Sequence, residues 1–145
     1  MKRTFGTLCL FLMACLGLQA AQVDTLLVRS ESMNKDIKVV AIRPDKAMKG
    51  EKCPVIYLLH GHSGNARTWI DVRPDLPEIA DRDGIIFVCP DGNYDSWYWD
   101  SPAIKESRYE TFISKELIHY VDTHLSAIPD RNKRAITGLS MGGHG

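Results

Sequence analysis

The stretch Arg134-Ala135-Ile136-Thr137-Gly138-Leu139-Ser140-Met141-Gly142-Gly143 decides how the rest of the chain is read. A short apolar run enters a G-x-S-x-G pattern at Gly138 to Gly142, and Gly142-Gly143 stand where the first turn of a helix would begin. Strand, sharp turn and helix in that order form a nucleophile elbow. Such a bend holds Ser140 in a strained backbone conformation and lifts its hydroxyl above the sheet edge. Side chains at positions 138 and 142 would collide across the bend, so both require glycine. The helix N-terminus beneath adds partial positive charge where negative charge develops. A phosphate-binding loop is the bland reading of the same glycines, but it needs a lysine that this stretch lacks.

An elbow needs a sheet to sit on, and the preceding residues supply one. Pro54 to His60 and Gly84 to Cys89 are continuous apolar runs without alternation, the pattern of strands covered on both faces. Thr25 to Val28 and Ile37 to Ile42 are shorter β-rich runs that read as an antiparallel pair at a sheet edge. Helical signals fall between the strands. Pro77 to Asp81 fits one or two turns stopped by Asp83-Gly84. Ser107-Arg108-Tyr109-Glu110 has the form of a capping box before a longer helix. On that helix Phe112, Ile113, Leu117, Tyr120, Val121 and His124 share one face. Alternating strands and helices imply right-handed crossovers and a doubly wound α/β sheet.

Chemistry in such sheets gathers at the carboxyl ends of the strands, where three segments converge. The first is His60-Gly61-His62-Ser63-Gly64. Glycine at 61 lets the chain turn in close, so the amide of His62 can face a substrate oxygen and the amide of Met141 supplies a second donor. Donors of this kind are worth about 3–4 kcal/mol each in the barrier. His60 ends a strand rather than lying on a late loop, which suits a structural histidine better than a base. The second segment, Asp91 to Pro102, holds Trp97 and Trp99, two of the three tryptophans. These indoles form either a substrate rim or a cap over the core. Trp69 reads as core packing, and His119 and His124 as ordinary helix histidines. The third segment is the elbow itself.

Composition narrows the class. The chain has 145 residues, 44% apolar, with 18 basic and 18 acidic side chains. That describes one packed domain with no electrostatic case for nucleic acid. Four cysteines at irregular spacing make neither a disulfide scaffold nor a zinc site. Cys53 and Cys89 fall at opposite ends of neighbouring strands, which predicts two buried free thiols. At the N-terminus, Lys2-Arg3, the uncharged run Leu8 to Leu18 and Gln19-Ala20-Ala21 have the order of a secretory signal over residues 1–20. The apolar run is too short for a permanent membrane span. Leu12-Met13-Ala14-Cys15 gives a second reading, a lipoprotein box acylated at Cys15.

The spaced motifs His60-Gly61-x-Ser63-Gly64-Asn65, Trp69, Pro90-Asp91-Gly92, Trp97-Tyr98, Asp100-Ser101-Pro102 and Gly138 to Gly143 together resemble the esterase D-like branch of the α/β-hydrolases. That branch includes tributyrin esterases, S-formylglutathione hydrolases, feruloyl and acetyl-xylan esterases, and mycolyltransferases. The resemblance runs from about residue 24 to the end. It implies an α/β-hydrolase fold whose mostly parallel, doubly wound sheet stops just after the elbow, with residues 21–145 as the N-terminal part of an esterase domain. It also implies a Ser-Asp/Glu-His triad, with Ser140 attacking an ester carbonyl to give an acyl-enzyme. Chain order in this fold is nucleophile, acid, histidine, so both partners of Ser140 are expected beyond residue 145. The 145 residues alone are then expected to be inactive and poorly stable, with an unpaired apolar strand edge. Short-chain, acetyl and feruloyl esters all remain open as substrates. No metal or cofactor is implied. The competing class is a non-enzyme: a non-catalytic truncated product, or a binding module that uses the aromatic loop to hold a glycan.

Overall fold

Alternate residues of the inner strands go to opposite faces of one sheet, and each face meets its own helices. Val39, Ala41, Val55, Tyr57, Leu59, Ile86 and Val88 pack into one core cluster with Phe112, Leu117 and Val121. Val40, Ile42, Leu58, Phe87 and Cys89 pack into the other with Leu76 and Ala80. Burial on both faces is what the unalternating apolar runs require. The computed structural model describes residues 21–145. The signal reading of residues 1–20 and the Cys15 alternative therefore lie outside the described residues.

The strands are β1 (Gln22–Ser30), β2 (Lys35–Arg43), β3 (Val55–Leu59), β4 (Ile86–Pro90) and β5 (Arg134–Gly138). Their spatial order is β1-β2-β4-β3-β5. β1 with β2 and β2 with β4 run antiparallel, while β4 with β3 and β3 with β5 run parallel. Leu59 is paired with Gly138, so the ends of β3 and β5 are level and the loops leaving them start side by side. Val55 is level with Ile86, which sets Cys53 and Cys89 about five residues apart along the sheet, or ~16 Å. Both thiols are free and buried, as the spacing predicts.

Short helices α1 (Asp45–Met48) and α2 (Thr68–Val72) precede α3 (Leu76–Asp83), which ends at Gly84 in the left-handed conformation (φ 66°). On the opposite face, α4 (Tyr109–Thr111), a π-helical segment (Phe112–Leu117) and α5 (Ile118–His124) follow one another without a break. The wide π turn resets the helix face. Ile113, Leu117, Val121 and Leu125, four residues apart, are buried. His124, expected on that face, is instead exposed and stacks on Tyr120 at 4.3 Å. The π segment also carries Glu116, whose carboxylate accepts from Ser30 Oγ and the Ser32 amide, both at 2.7 Å.

The capping box expected at Ser107 is not formed. Ser107 is engaged through its backbone, its amide donating to Ile104 O and its carbonyl accepting from the Ser101 amide at 2.8 Å. Asp100 caps the helix from outside it: the Thr111 amide donates to Oδ1 at 3.0 Å and the Thr111 hydroxyl to Oδ2 at 2.6 Å. Burial works against the Asp100 charge, but these bonds outweigh it and hold the carboxyl below the usual carboxylate range.

β5 is the edge strand of the described sheet, with Ile136 56% exposed. Beside it an apolar cleft is lined by Tyr57, Ile113, Ile118 and Ile136. Among the described residues, no helix is long and apolar enough to cross a membrane.

Candidate active site

Ser140 joins β5 to the short helix α6 (Met141–His144) with φ 50° and ψ −112°. That lies in the left-handed half of backbone space, where a residue with a Cβ costs about 1–3 kcal/mol. The conformation is held from both sides. The Leu139 amide donates to Leu59 O at 3.1 Å, the Gly142 amide to Leu139 O at 2.8 Å and the Gly143 amide to Ser140 O at 2.9 Å. Met141 is fully buried while Ser140 stays exposed. The two flanking glycines sit where the expected collisions would occur. A Cβ on Gly142 would stand 2.7 Å from His60 O and closer still to Leu59 O, and one on Gly138 would stand 2.8 Å from Gly142 Cα.

The loop after β3 passes directly beside this bend. A Cβ on Gly61 would lie 3.3 Å from Leu139 O and 3.5 Å from Ser140 Cβ. The loop is fixed by the Ser63 amide donating to Tyr94 O at 2.8 Å and the Gly64 amide to Gly61 O at 3.1 Å. Among the described residues, the amides of His62 and Met141 have no acceptor. Two backbone donors without an acceptor thus lie on the segments that meet at the Ser140 bend.

His60 is wholly buried and both ring nitrogens are used. The Gly92 amide donates to Nε2 at 2.8 Å, so that nitrogen carries no proton, and Nδ1–H donates to Gly61 O at 2.7 Å. The ring clasps the loop after β3 to the loop after β4, in keeping with a structural histidine. Tyr98 backs the clasp: it is buried, its ring meets His60 edge-on at 5.8 Å, and its hydroxyl donates to His60 O at 3.2 Å. Burial pushes the Tyr98 phenol well above its ordinary pKa. Sequence reasoning missed Tyr98, because nothing local separates it from the tryptophans on either side.

Those tryptophans do not cap the core. Trp97 is 46% exposed and Trp99 55%. Trp97 and Tyr98 both adopt left-handed backbone angles (φ 53° and 56°), which turn Tyr98 inward and the indoles outward. The Trp97 ring stands 5.4 Å from that of His144, four residues past Ser140, whereas Trp99 lines a separate cleft with Lys35 and Glu106. Trp69 is tied inward, its Nε1–H donating to Leu59 O at 3.0 Å, and His119 is exposed.

This arrangement has relatives. The esterase family model matches residues 30–145. An acetyl esterase of Caldicellulosiruptor saccharolyticus is 31% identical over 80% of this chain and 46% of its own length. An S-formylglutathione hydrolase of Bos taurus is 29% identical over 75% of this chain and 44% of its own. Among solved structures, a ferulic acid esterase superposes with a TM-score of 0.73 at 31% identity, covering 86% of this chain and 53% of that one. An S-formylglutathione hydrolase from Agrobacterium tumefaciens, at 23% identity, shares the fold with a TM-score of 0.74 over 86% of this chain and 51% of its own. The chain thus spans about half the length of the relatives it matches. It belongs to the esterase D-like family of the α/β-hydrolases.

Proposed function

We propose that the protein is an exported serine carboxylic-ester hydrolase that acts through an acyl-enzyme on Ser140. Its substrates on this reading are short-chain acyl esters or sugar-linked acetyl and feruloyl esters, bound at a rim formed by Trp97 and Trp99. One observation carries the reading: a strained, exposed serine (φ 50°, ψ −112°) pinned between two glycines that admit no side chain. Acetyl and ferulic acid esterases among its relatives support the substrate class.

In the proposed reaction the Ser140 hydroxyl oxygen attacks the ester carbonyl and its proton passes to the triad histidine. The carbonyl oxygen, now an anion, accepts from the His62 and Met141 amides. The C–O bond to the alcohol breaks as the histidine returns the proton to the leaving oxygen, and water then hydrolyses the acyl-serine by the same route. The acid and the histidine belong, on this proposal, to the half of the fold that the relatives carry beyond the matched region. A serine without its base is a weak nucleophile, so residues 21–145 alone should turn esters over poorly.

The test is hydrolysis of p-nitrophenyl acetate, p-nitrophenyl butyrate and methyl ferulate by the full-length natural protein and its Ser140→Ala variant. A fall of at least ~10³-fold in the variant is expected; unchanged turnover would refute the assignment. N-terminal sequencing of the exported product tests the leader: a start at Ala21 supports signal cleavage, and an acylated Cys15 supports the lipoprotein alternative.

A further inference from the structure

We propose that the cleft around Trp99 is a saccharide-binding subsite that takes a neutral pyranose ring against the exposed indole. The proposal builds on the rim reading of Trp99, and it concerns binding rather than turnover. The cleft encloses about 370 Å³ and is lined by Trp99 and Ile104 together with Lys35, Asn93, Asp95 and Glu106. That volume falls within the ~300–1,000 Å³ of small-molecule sites.

The backbone that carries the indole is fixed before any ligand arrives. The Trp99 amide donates to Ser96 O and its carbonyl accepts from the Tyr109 amide, each at 3.3 Å. Two bulky residues in left-handed conformations just before it, Trp97 and Tyr98, are strain that only an over-determined loop sustains. Lys35 Nζ donates to Glu106 O at 2.7 Å and sits over the Tyr109 ring at 5.0 Å, closing one wall. Asn93 Oδ1 accepts from the Tyr94 amide, which leaves the side-chain NH₂ to donate. Asp95 and Glu106 add two carboxylates to the same lining.

A flat apolar surface ringed by donors and acceptors of both kinds matches the pyranose ring. One face of that ring presents C–H groups to an indole, and its edge carries hydroxyls that both donate and accept. A wholly apolar ligand would strip water from four polar groups without replacing their hydrogen bonds. A phosphate or a sugar acid would meet two carboxylates against one ammonium. A neutral saccharide fits both constraints.

The experiment titrates unesterified xylotriose into the full-length natural protein, read by tryptophan fluorescence and calorimetry, with variants Trp99→Ala, Asp95→Asn and Ser140→Ala. Each variant is first checked by thermal melt. The wild-type protein should bind with a Kd of order 1 mM or tighter. Trp99→Ala should weaken binding at least tenfold and Asp95→Asn severalfold, while Ser140→Ala binds like wild type. Absence of binding by the folded wild-type protein, or equal binding by folded Trp99→Ala, would overturn the proposal. Ser140→Ala binding xylotriose normally while losing ester turnover supports both readings. Normal binding with unchanged turnover would overturn only the hydrolase reading.

Discussion

Replacing Gly142 by alanine tests the packing that sustains the bend. The new methyl would stand 2.7 Å from His60 O and nearer still to Leu59 O, both backbone atoms. Leu59 O has little room to retreat, because it already accepts from the Leu139 amide at 3.1 Å and from Trp69 Nε1 at 3.0 Å. Relief therefore moves the elbow itself, by about 1 Å. Overpacking of this kind costs ~1–3 kcal/mol, and in a domain of 150–250 residues each kcal/mol lowers Tm by roughly 2–4 °C. A displacement of that size at the reacting group costs about 10²-fold in rate. The matched control is Gly143→Ala, where the nearest atom to the new methyl, Gly138 O, is 3.3 Å away. It should leave stability and turnover close to wild type. Thermal melts and p-nitrophenyl acetate kinetics on the full-length protein read both variants. Wild-type stability and turnover in Gly142→Ala, or equal damage from Gly143→Ala, would refute the reasoning.

His60→Ala removes the acceptor of the Gly92 amide and the donor to Gly61 O and opens a buried hole, so urea unfolding should show a loss of ~3 kcal/mol. Lost turnover with unchanged stability would instead mark His60 as catalytic. Burial pushes the Cys89 thiol up to about 12 and raises Cys53 as well. Neither should react with a thiol-specific disulfide reagent at pH 8 until guanidinium unfolds the protein, and fast labelling of native protein would contradict the burial. Because the folded Asp100 carboxyl is held below its unfolded value of ~3.9, its stabilising effect is complete above that pH and fades as pH falls through the lower folded value. Asp100→Ala should therefore cost about 1 kcal/mol at pH 7, and the gap from wild type should shrink in acid; a pH-independent gap would count against the cap.

The parts of the fold legible in the sequence are those set by burial pattern and by glycine. Runs such as Val55 to Leu59 and Ile86 to Cys89 announce strands covered on both faces, and the sheet places them side by side. Gly138 and Gly142 announce the bend because no other residue fits there. The illegible parts depend on partners distant in sequence. Ser107 and Glu110 have the right spacing for a cap, but Asp100 takes that position from across a small ladder. The face of the long helix follows 3.6-residue spacing only until the π turn widens it, which brings Glu116 to Ser30 and turns His124 to solvent. Tyr98 is distinguished from Trp97 and Trp99 by its burial against His60, a contact 38 residues away in sequence that no local pattern reveals.

The most direct test of the central claim is the structure of the full-length protein after reaction with a small alkyl fluorophosphonate. The account predicts phosphorus bonded to Ser140 Oγ, with the phosphoryl oxygen about 2.7–3.1 Å from both the His62 and the Met141 amide nitrogens. An adduct on another residue, or a phosphoryl oxygen turned away from those two amides, would contradict it.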